Sequence, residues 1–437
     1  LSIALRFLGG AREVGRSCIE LELGESGRIL LDSGINLGSG DRNPIEPYGK
    51  VDALLLTHAH LDHSGYSPEI VKSHDCPLFS LPPTRDLSEL LLLDLLSLTP
   101  KEERTFTHED VMYLRKKEKL VSYGIPFTLR NAEIIFFDAG HVLGSAMIYI
   151  KFNGKRILYT GDINLTNTRT VRGAQLDLPA VDYLIIESTY GGNSDVHPSR
   201  KKVERKFVMD IEKVIESGGK VLVPVFALGR AQEVLLTLID HMDSGVLQKV
   251  PIFVDGMIKE VNKIYTIHWF WLRPELRNKI RALRKSPFDH PYVDEVRDRR
   301  EIVDINEPYI VVTTSGMLQG GPVLDYLKYI GTDRRNLIYL TGYQVKGTLG
   351  RELLDGKRDI TLPRTGETVH IEADVKFADF SAHADQVNLL RFISSIKDLK
   401  EVFLVHGEEE KMIDLEKKID ERGLTVYRPS LGELVRL

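Results

Sequence analysis

The chain has 437 residues, and because single hydrophobic cores stop growing at roughly 250–300 residues, at least two cores are expected. Hydrophobic residues make up 42% and charged residues 28%, with 35 Gly and 19 Pro, which excludes a largely disordered or fibrous chain; two cysteines, Cys18 and Cys76, exclude a disulfide framework and a thiolate zinc ribbon, so any metal must be held by His and carboxylates. The formal net charge of −5, taken alone, argues against a general nucleic-acid binder.

The first part reads as short strands bounded by Gly, Asn or Asp: Ser2–Leu8, Ser17–Leu23, Arg28–Asp32, Asp52–Thr57, Glu133–Asp138, Ala146–Phe152, Arg156–Thr160 and Asp182–Glu187. The opening strand has no basic or apolar leader pattern, which makes the cytoplasm the expected compartment. Two amphipathic helices, Thr84–Leu98 and His108–Glu118, interrupt the strands; the apolar stretch Leu87–Leu98 is broken by Glu89 and Asp94 and falls far short of the ~20 residues that span a bilayer. From Ser199 the rhythm becomes helix alternating with apolar strand, at Lys220–Phe226, Ile252–Asp255, Tyr309–Thr314 and Asn336–Thr341, which predicts a parallel sheet with helices on both faces. After Lys357 short strands return at Thr368–Ala373, Val375–Phe377 and Glu401–Val405, with helices near Asp385–Ser394 and Glu408–Glu421. One β-rich domain, 1–193 and 358–437, is therefore expected to be split by an inserted α/β domain, 194–357. Charge follows that division: Ser194 to Lys357 holds 26 basic and 22 acidic residues, the rest 32 and 41.

Chemistry enters directly after the strand Asp52–Thr57, at His58-Ala59-His60-Leu61-Asp62-His63. In extended backbone, side chains two residues apart point the same way, so His58 and His60 can grip one cation while the following turn swings Asp62 and His63 towards a second. A polar loop with satisfied histidines is the bland alternative. Further along stand Asp32 at a strand end, His141 in Ala139-Gly140-His141, and Asp162 closing Tyr159-Thr160-Gly161-Asp162. Then come Glu187 in Ile186-Glu187-Ser188-Thr189-Tyr190-Gly191, His383 in Ser381-Ala382-His383-Ala384-Asp385, and His406 in Val405-His406-Gly407-Glu408.

In this order the motifs resemble the metallo-β-lactamase fold, and the last three, set beyond a long insertion, resemble the β-CASP nucleases over essentially the whole chain. The resemblance implies an αββα sandwich, α/β in class, interrupted by a β-CASP domain whose parallel sheet is flanked by helices. It implies that His58, His60 and His141 hold one zinc and Asp62, His63 and His406 the other, with Asp162 shared and Asp32 orienting a ligand histidine. Two zinc ions are expected, since His-rich mixed N/O sites suit zinc. A histidine at the position of His406 marks the RNA-processing branches, so RNA is the implied substrate. Gly10–Ser17, Ser315–Pro322 and Thr341–Arg351 look like the endonuclease subunit of the cleavage and polyadenylation specificity factor in its archaeal form, and the chain, opening on the first catalytic strand, resembles the form without KH domains.

The implied reaction is metal-assisted hydrolysis of RNA to 3′-hydroxyl and 5′-phosphate ends, with His383 as general acid and Glu187 orienting it, in 3′-end processing, termination or decay. A ribonuclease J-like 5′-to-3′ exonuclease is the alternative; a small-molecule zinc hydrolase and an RNA-binding scaffold fit less well. The implied partners are RNA and either a second copy of the chain or an RNA-processing complex, with no membrane. Phosphate contacts are expected from Arg230, Ser315, Gly316, Lys346, Arg351 and Ser381: Gly316 lies in a strand-to-helix turn, where backbone N–H groups commonly meet phosphate, Arg230 opens a helix, and Lys346 and Arg351 flank a further turn. The basic run Arg273–Lys285 reads first as a solvated helix face, with an RNA track as alternative, and Trp269-Phe270-Trp271 reads as core.

Overall fold

The computed structural model describes residues 3–38, 40–345, 347–363 and 365–437, and the chain divides into two compact units. The first comprises Leu1–Asn167, Val171–Val196 and His383–Leu437. Its first sheet runs, in spatial order, Leu434–Arg436, Ala4–Gly9, Cys18–Glu22, Arg28–Leu31, Ala53–Leu55, Leu78–Ser80 and Glu118–Leu120. Its second runs Thr425–Tyr427, Glu401–Val405, Tyr183–Glu187, Lys155–Tyr159, Ala146–Phe152, Ala132–Asp138 and Phe127–Leu129. Both sheets are mixed, antiparallel at one end and parallel at the other. Rings meet between them: Phe7 lies 6.0 Å from Phe403, and Phe79 stacks on Phe127 at 5.1 Å.

Helices cover the outer faces because each carries one apolar stripe. Gln386–Ser395 and Glu409–Asp420 bury Leu389, Phe392, Met412 and Leu415 against the second sheet. Ser67–His74 buries Ile70 and Val71 against the first. That last helix was not anticipated, because eight residues with two adjacent apolar positions show no helical period. The layers are the αββα sandwich expected. The opening strand begins at Ala4; Ser2, where it was expected to start, lies outside the described residues.

The second unit comprises Thr168–Thr170 and His197–Ala382. Its six strands are all parallel, in the order Val293–Glu295, Ile252–Asp255, Ile310–Thr313, Val221–Pro224, Leu337–Thr341 and Asp374–Ala378. Central strands such as Ile-Val-Val-Thr at 310–313 are wholly buried, as continuous apolar runs in a helix-covered parallel sheet must be. The boundary expected at 357 falls inside this unit, because Asp374–Ala378 extends the parallel sheet beside Leu337–Thr341. A hairpin of Asp359–Thr361 and Thr368–His370 precedes it. One expectation is overturned: Trp269–Trp271 is a single 3-10 turn with no buried residue rather than core. Among the described residues no helix is long and apolar enough to cross a membrane.

Candidate metal centre

Most of the ligand candidates leave the carboxyl ends of parallel strands. His58 and His60 follow the strand Ala53–Leu55, and the helical turn Leu61–Ser64 carries Asp62 and His63. Asp162 follows Lys155–Tyr159, Glu187 ends Tyr183–Glu187, and His406 follows Glu401–Val405. These three strands are parallel neighbours, so their loops emerge along one edge. His141 comes from the connection between the antiparallel strands Ala132–Asp138 and Ala146–Phe152. Two glycines permit the close packing: a Cβ at Gly34 would stand 1.7 Å from the Asp62 carbonyl oxygen, and Gly161, at φ +52°, would bring one 2.7 Å from Thr57.

The donor atoms converge at spacings that suit a cation. His60 Nδ1 lies 3.1 Å from both His58 Nε2 and His141 Nε2. Asp162 Oδ2 lies 3.4 Å from His58 Nε2 and 3.6 Å from His141 Nε2. A tetrahedron with metal–ligand bonds of about 2.0–2.1 Å has edges of about 3.3 Å. On the other side, Asp162 Oδ1 is 3.3 Å from His63 Nε2 and 3.8 Å from His406 Nε2, which is 3.5 Å from Asp62 Oδ2. His63 Nε2 and Asp162 Oδ1 are buried and make no hydrogen bond of acceptable geometry; buried polar atoms are almost always partnered. The residues therefore fit a divalent cation in each cluster, with Asp162 offering one oxygen to each.

Behind the ligands sits a second layer of hydrogen bonds. The buried Asp32 carboxylate accepts from Thr57 N (2.7 Å), Thr57 Oγ1 (2.8 Å), Tyr159 OH (2.9 Å) and His63 Nδ1 (2.7 Å), which turns His63 Nε2 towards Asp162. His406 Nδ1 meets Ser17 Oγ at 2.7 Å. Asp32 and His406 hold positive φ, 58° and 49°, uncommon for residues other than glycine and concentrated at functional sites.

Protonation follows from burial and neighbours. Burial, then His58, holds His60 down at about 3. Burial and His383 push His141 well below the usual range, and burial lowers His406. Burial opposes the charge of Asp162, but His63, His406 and His383 outweigh it and hold its carboxyl well below the usual range. Asp62 is lowered likewise, against burial, by His63 and His406. Neutral imidazoles beside carboxylates are what metal binding requires. His63 is the exception: burial would lower it, yet Asp162 and Asp32 raise it, so a cation entering here displaces a proton.

Beside these clusters, His383 Nδ1 lies 3.1 and 3.0 Å from the two oxygens of the buried Glu187, whose Oε1 also accepts from Ile163 N at 2.7 Å. His383 Nδ1 is 4.0 Å from Asp162 Oδ2, and its ring lies 5.9 Å from that of Tyr190. The Glu187–His383 pair thus adjoins the carboxylate that the two clusters have in common.

Within the second unit, the expected phosphate contacts fall after neighbouring parallel strands: Arg230 beyond Val221–Pro224, and Ser315 and Gly316 beyond Ile310–Thr313. Gly342, beyond Leu337–Thr341, packs on Arg230, and Gln344 Nε2 donates to Gly316 O. Ser315 Oγ donates to Gly320 O and accepts from Gln319 N, closing its own turn. Ser381 N donates to Asp379, whose other oxygen bonds His197. Arg351 is set apart, paired to Asp355 one helical turn on. Lys346 lies outside the described residues.

Sequence reasoning missed Ser17, Thr57 and Tyr159 as supports of the ligands. Their signal was position alone: Ser17 closes the Gly10–Ser17 motif, Thr57 precedes His58, and Tyr159 stands three residues before Asp162.

Three family models match the chain: the metallo-beta-lactamase superfamily over residues 11–213, the Beta-Casp domain over 231–353 and the Zn-dependent metallo-hydrolase RNA specificity domain over 368–429. An RNase J-like protein of Methanocaldococcus jannaschii is 40% identical over 93% of each chain. The transcription termination factor FttA of the same organism is 37% identical over 94% of this chain and 68% of its own length. That of Methanothermobacter thermautotrophicus is 36% identical over 95% and 68%. A solved Enterococcus faecalis protein of unknown function shares the fold at TM-score 0.63 and 14% identity, over the whole of both chains.

Proposed function

The chain belongs to the metallo-β-lactamase-fold β-CASP family of zinc-dependent, RNA-specific hydrolases, and on that premise we propose that it is an endoribonuclease leaving 3′-hydroxyl and 5′-phosphate ends. The observation that carries this reading is the pair of donor clusters around Asp162 with Glu187–His383 beside them. His58, His60 and His141 would hold one cation, Asp62, His63 and His406 the other, and Asp162 both. Zinc held there would supply an acidified water, its pKa brought from about 15.7 towards about 7, and would offset charge on a phosphoryl oxygen.

The chain's own residues do the rest. Asp32 and Ser17 fix the rings of His63 and His406, so their Nε2 atoms face inward. Glu187 engages Nδ1 of His383 with both oxygens, which leaves Nε2 to hand a proton to the departing 3′ oxygen; proton transfer from a positioned side chain contributes typically 10²–10⁴-fold. Arg230, Ser315, Gly316, Arg351 and Ser381 are assigned to the RNA backbone, as is Lys346 from its place in the sequence.

The names of the FttA relatives favour a role in termination or 3′-end processing, and the two buried, unpaired cysteines suit the cytoplasm. A second reading, 5′-to-3′ exonuclease action, is favoured by the RNase J-like relative. Cleavage of a 5′-labelled and an internally labelled RNA, with and without chelator, tests both. Discrete internal products that vanish with chelator are expected; a ladder of mononucleotides from the 5′ end alone would install the second reading, and no cutting would overturn both.

A further inference from the structure

The basic run after the exposed aromatic turn is a charged surface feature that the metal centre does not explain. Phe270 is 63% exposed, and its ring stands perpendicular to that of Trp269, with centroids 6.0 Å apart. Each ring carries a guanidinium from the helix Pro274–Leu283: Arg277 Cζ lies 5.3 Å from the Phe270 centroid, and Arg281 Cζ lies 5.9 Å from that of Trp269. Both distances are within cation–π range. Some cations of this unit are matched by carboxylates, as Lys279 is by Asp240 and Arg299 by Asp255. Arg277, Arg281, Arg284 and Lys285 have no carboxylate within salt-bridge distance among the described residues. In a chain of net charge −5, four unneutralised cations against two accessible rings is a local reversal of sign.

We propose that this corner is a single-stranded RNA platform, a secondary binding surface for the substrate of the metal centre; it rests on the reading of the chain as a ribonuclease. Non-specific single-strand binders combine a cationic track for the backbone with aromatic faces on which bases stack. Here the two are interleaved: each ring has a guanidinium within cation–π range, so consecutive nucleotides can place a base on a ring and a phosphate on a cation. An acidic peptide would satisfy the charges and leave the rings unused.

The test is fluorescence anisotropy with a labelled 20-nucleotide oligouridine, using the full-length zinc-loaded chain in an H383A background with the RNA checked intact afterwards. R281E/K285E changes two exposed residues that make no ion pair, and F270A an exposed ring, so the fold should survive; thermal melts check this, with single K285E in reserve. The double variant is expected to weaken binding at least tenfold and to reduce the slope of log Kd against log salt by about 1.4, at about 0.7 for each single-strand phosphate that is no longer neutralised. F270A should weaken binding roughly fivefold without changing the slope. Unaltered Kd and slope in both variants overturn the platform, as does loss of anionic-vesicle binding with RNA binding intact. Cleavage by the otherwise unaltered chain is assayed separately: its absence would fault the ribonuclease reading, while the binding contrast would still decide the platform.

Discussion

Asp32→Asn is the sharpest probe of the metal centre, because it changes one atom and leaves volume unchanged. Asp32 Oδ1 accepts from Thr57 N, and an asparagine oxygen can continue to do so. The other oxygen accepts from Thr57 Oγ1, Tyr159 OH and His63 Nδ1. Replaced by an amide NH2, it becomes a donor. The two hydroxyls can rotate and accept instead, but the imidazole can accept at Nδ1 only by moving its proton to Nε2, the atom 3.3 Å from Asp162. That tautomer cannot ligate. Mutation of such supporting partners costs about 10–100-fold in metal affinity, roughly 1.4–2.7 kcal/mol. A carboxylate-to-amide change that imposes the wrong tautomer in a Ser-His-Asp triad costs about 10⁴ in kcat. We expect D32N to fold, to lose zinc from the Asp62–His63–His406 cluster first in competition with a chromogenic chelator, and to cut RNA at least 10²-fold more slowly. Asp32→Ala differs: it strands four buried donors at about 1–3 kcal/mol each and should fail to fold. D32N with the zinc affinity and cleavage rate of the parent would refute the tautomer argument.

His383→Ala should abolish most cleavage while zinc content, measured by plasma emission, is retained; loss of metal and of fold together would remove His383 from the acid role. Chelator treatment should lower the melting temperature as well as stop cleavage, because the rings and carboxylates now 3.1–3.8 Å apart would lose their common cation. Glu233→Ala should destabilise by about 3–5 kcal/mol in urea titrations, since this buried carboxylate accepts from Arg169 N, Thr170 N, Thr170 Oγ1 and Arg200. Glu118, which accepts from Ser80 Oγ, is pushed up to about 7, first by burial. Its raised folded value means that stability falls as pH rises from about 4.5 through 7, while the unfolded chain ionises freely. Glu118→Gln should therefore leave the melting temperature little changed at pH 5 and raise stability by about 2–3 kcal/mol at pH 8.5.

The ligands were legible because their constraint is local. His58 to His63 is one strand exit and one turn, and the chemistry needs those residue types at that spacing. Their supports were not legible, since a buried donor is chosen by the three-dimensional path of the chain: Ser17 reaches His406 across 389 positions. The parallel sheet could be read from continuous apolar runs, but its last strand could not. Asp374 and Lys376 give Asp374–Ala378 the alternation of a solvated edge, with Lys376 paired to Asp210 at 2.9 Å, and such a pattern marks where a sheet stops rather than which sheet it joins. Trp269–Trp271 was misread for a related reason. Apolar content measures what a side chain would gain by burial, and function can keep that surface in water.

The formal charge of −5 misdescribes the surface that RNA would meet. Several of the carboxylates behind it are wholly or nearly buried and already matched within the fold: Glu20 lies 3.6 Å from both Arg6 and Arg28, and Glu233 lies 2.7 Å from Arg200. Asp32, Asp162 and Glu187 are likewise buried, turned towards the histidines that surround them. A divalent cation in each cluster would remove more of the negative charge there. Field at a distance is set by unmatched, exposed groups, and Arg281, Arg284 and Lys285, with the half-buried Arg277, are such a group. An acidic chain and a polyanionic substrate are compatible here because the summed charge does not fix the sign of the field at any one patch.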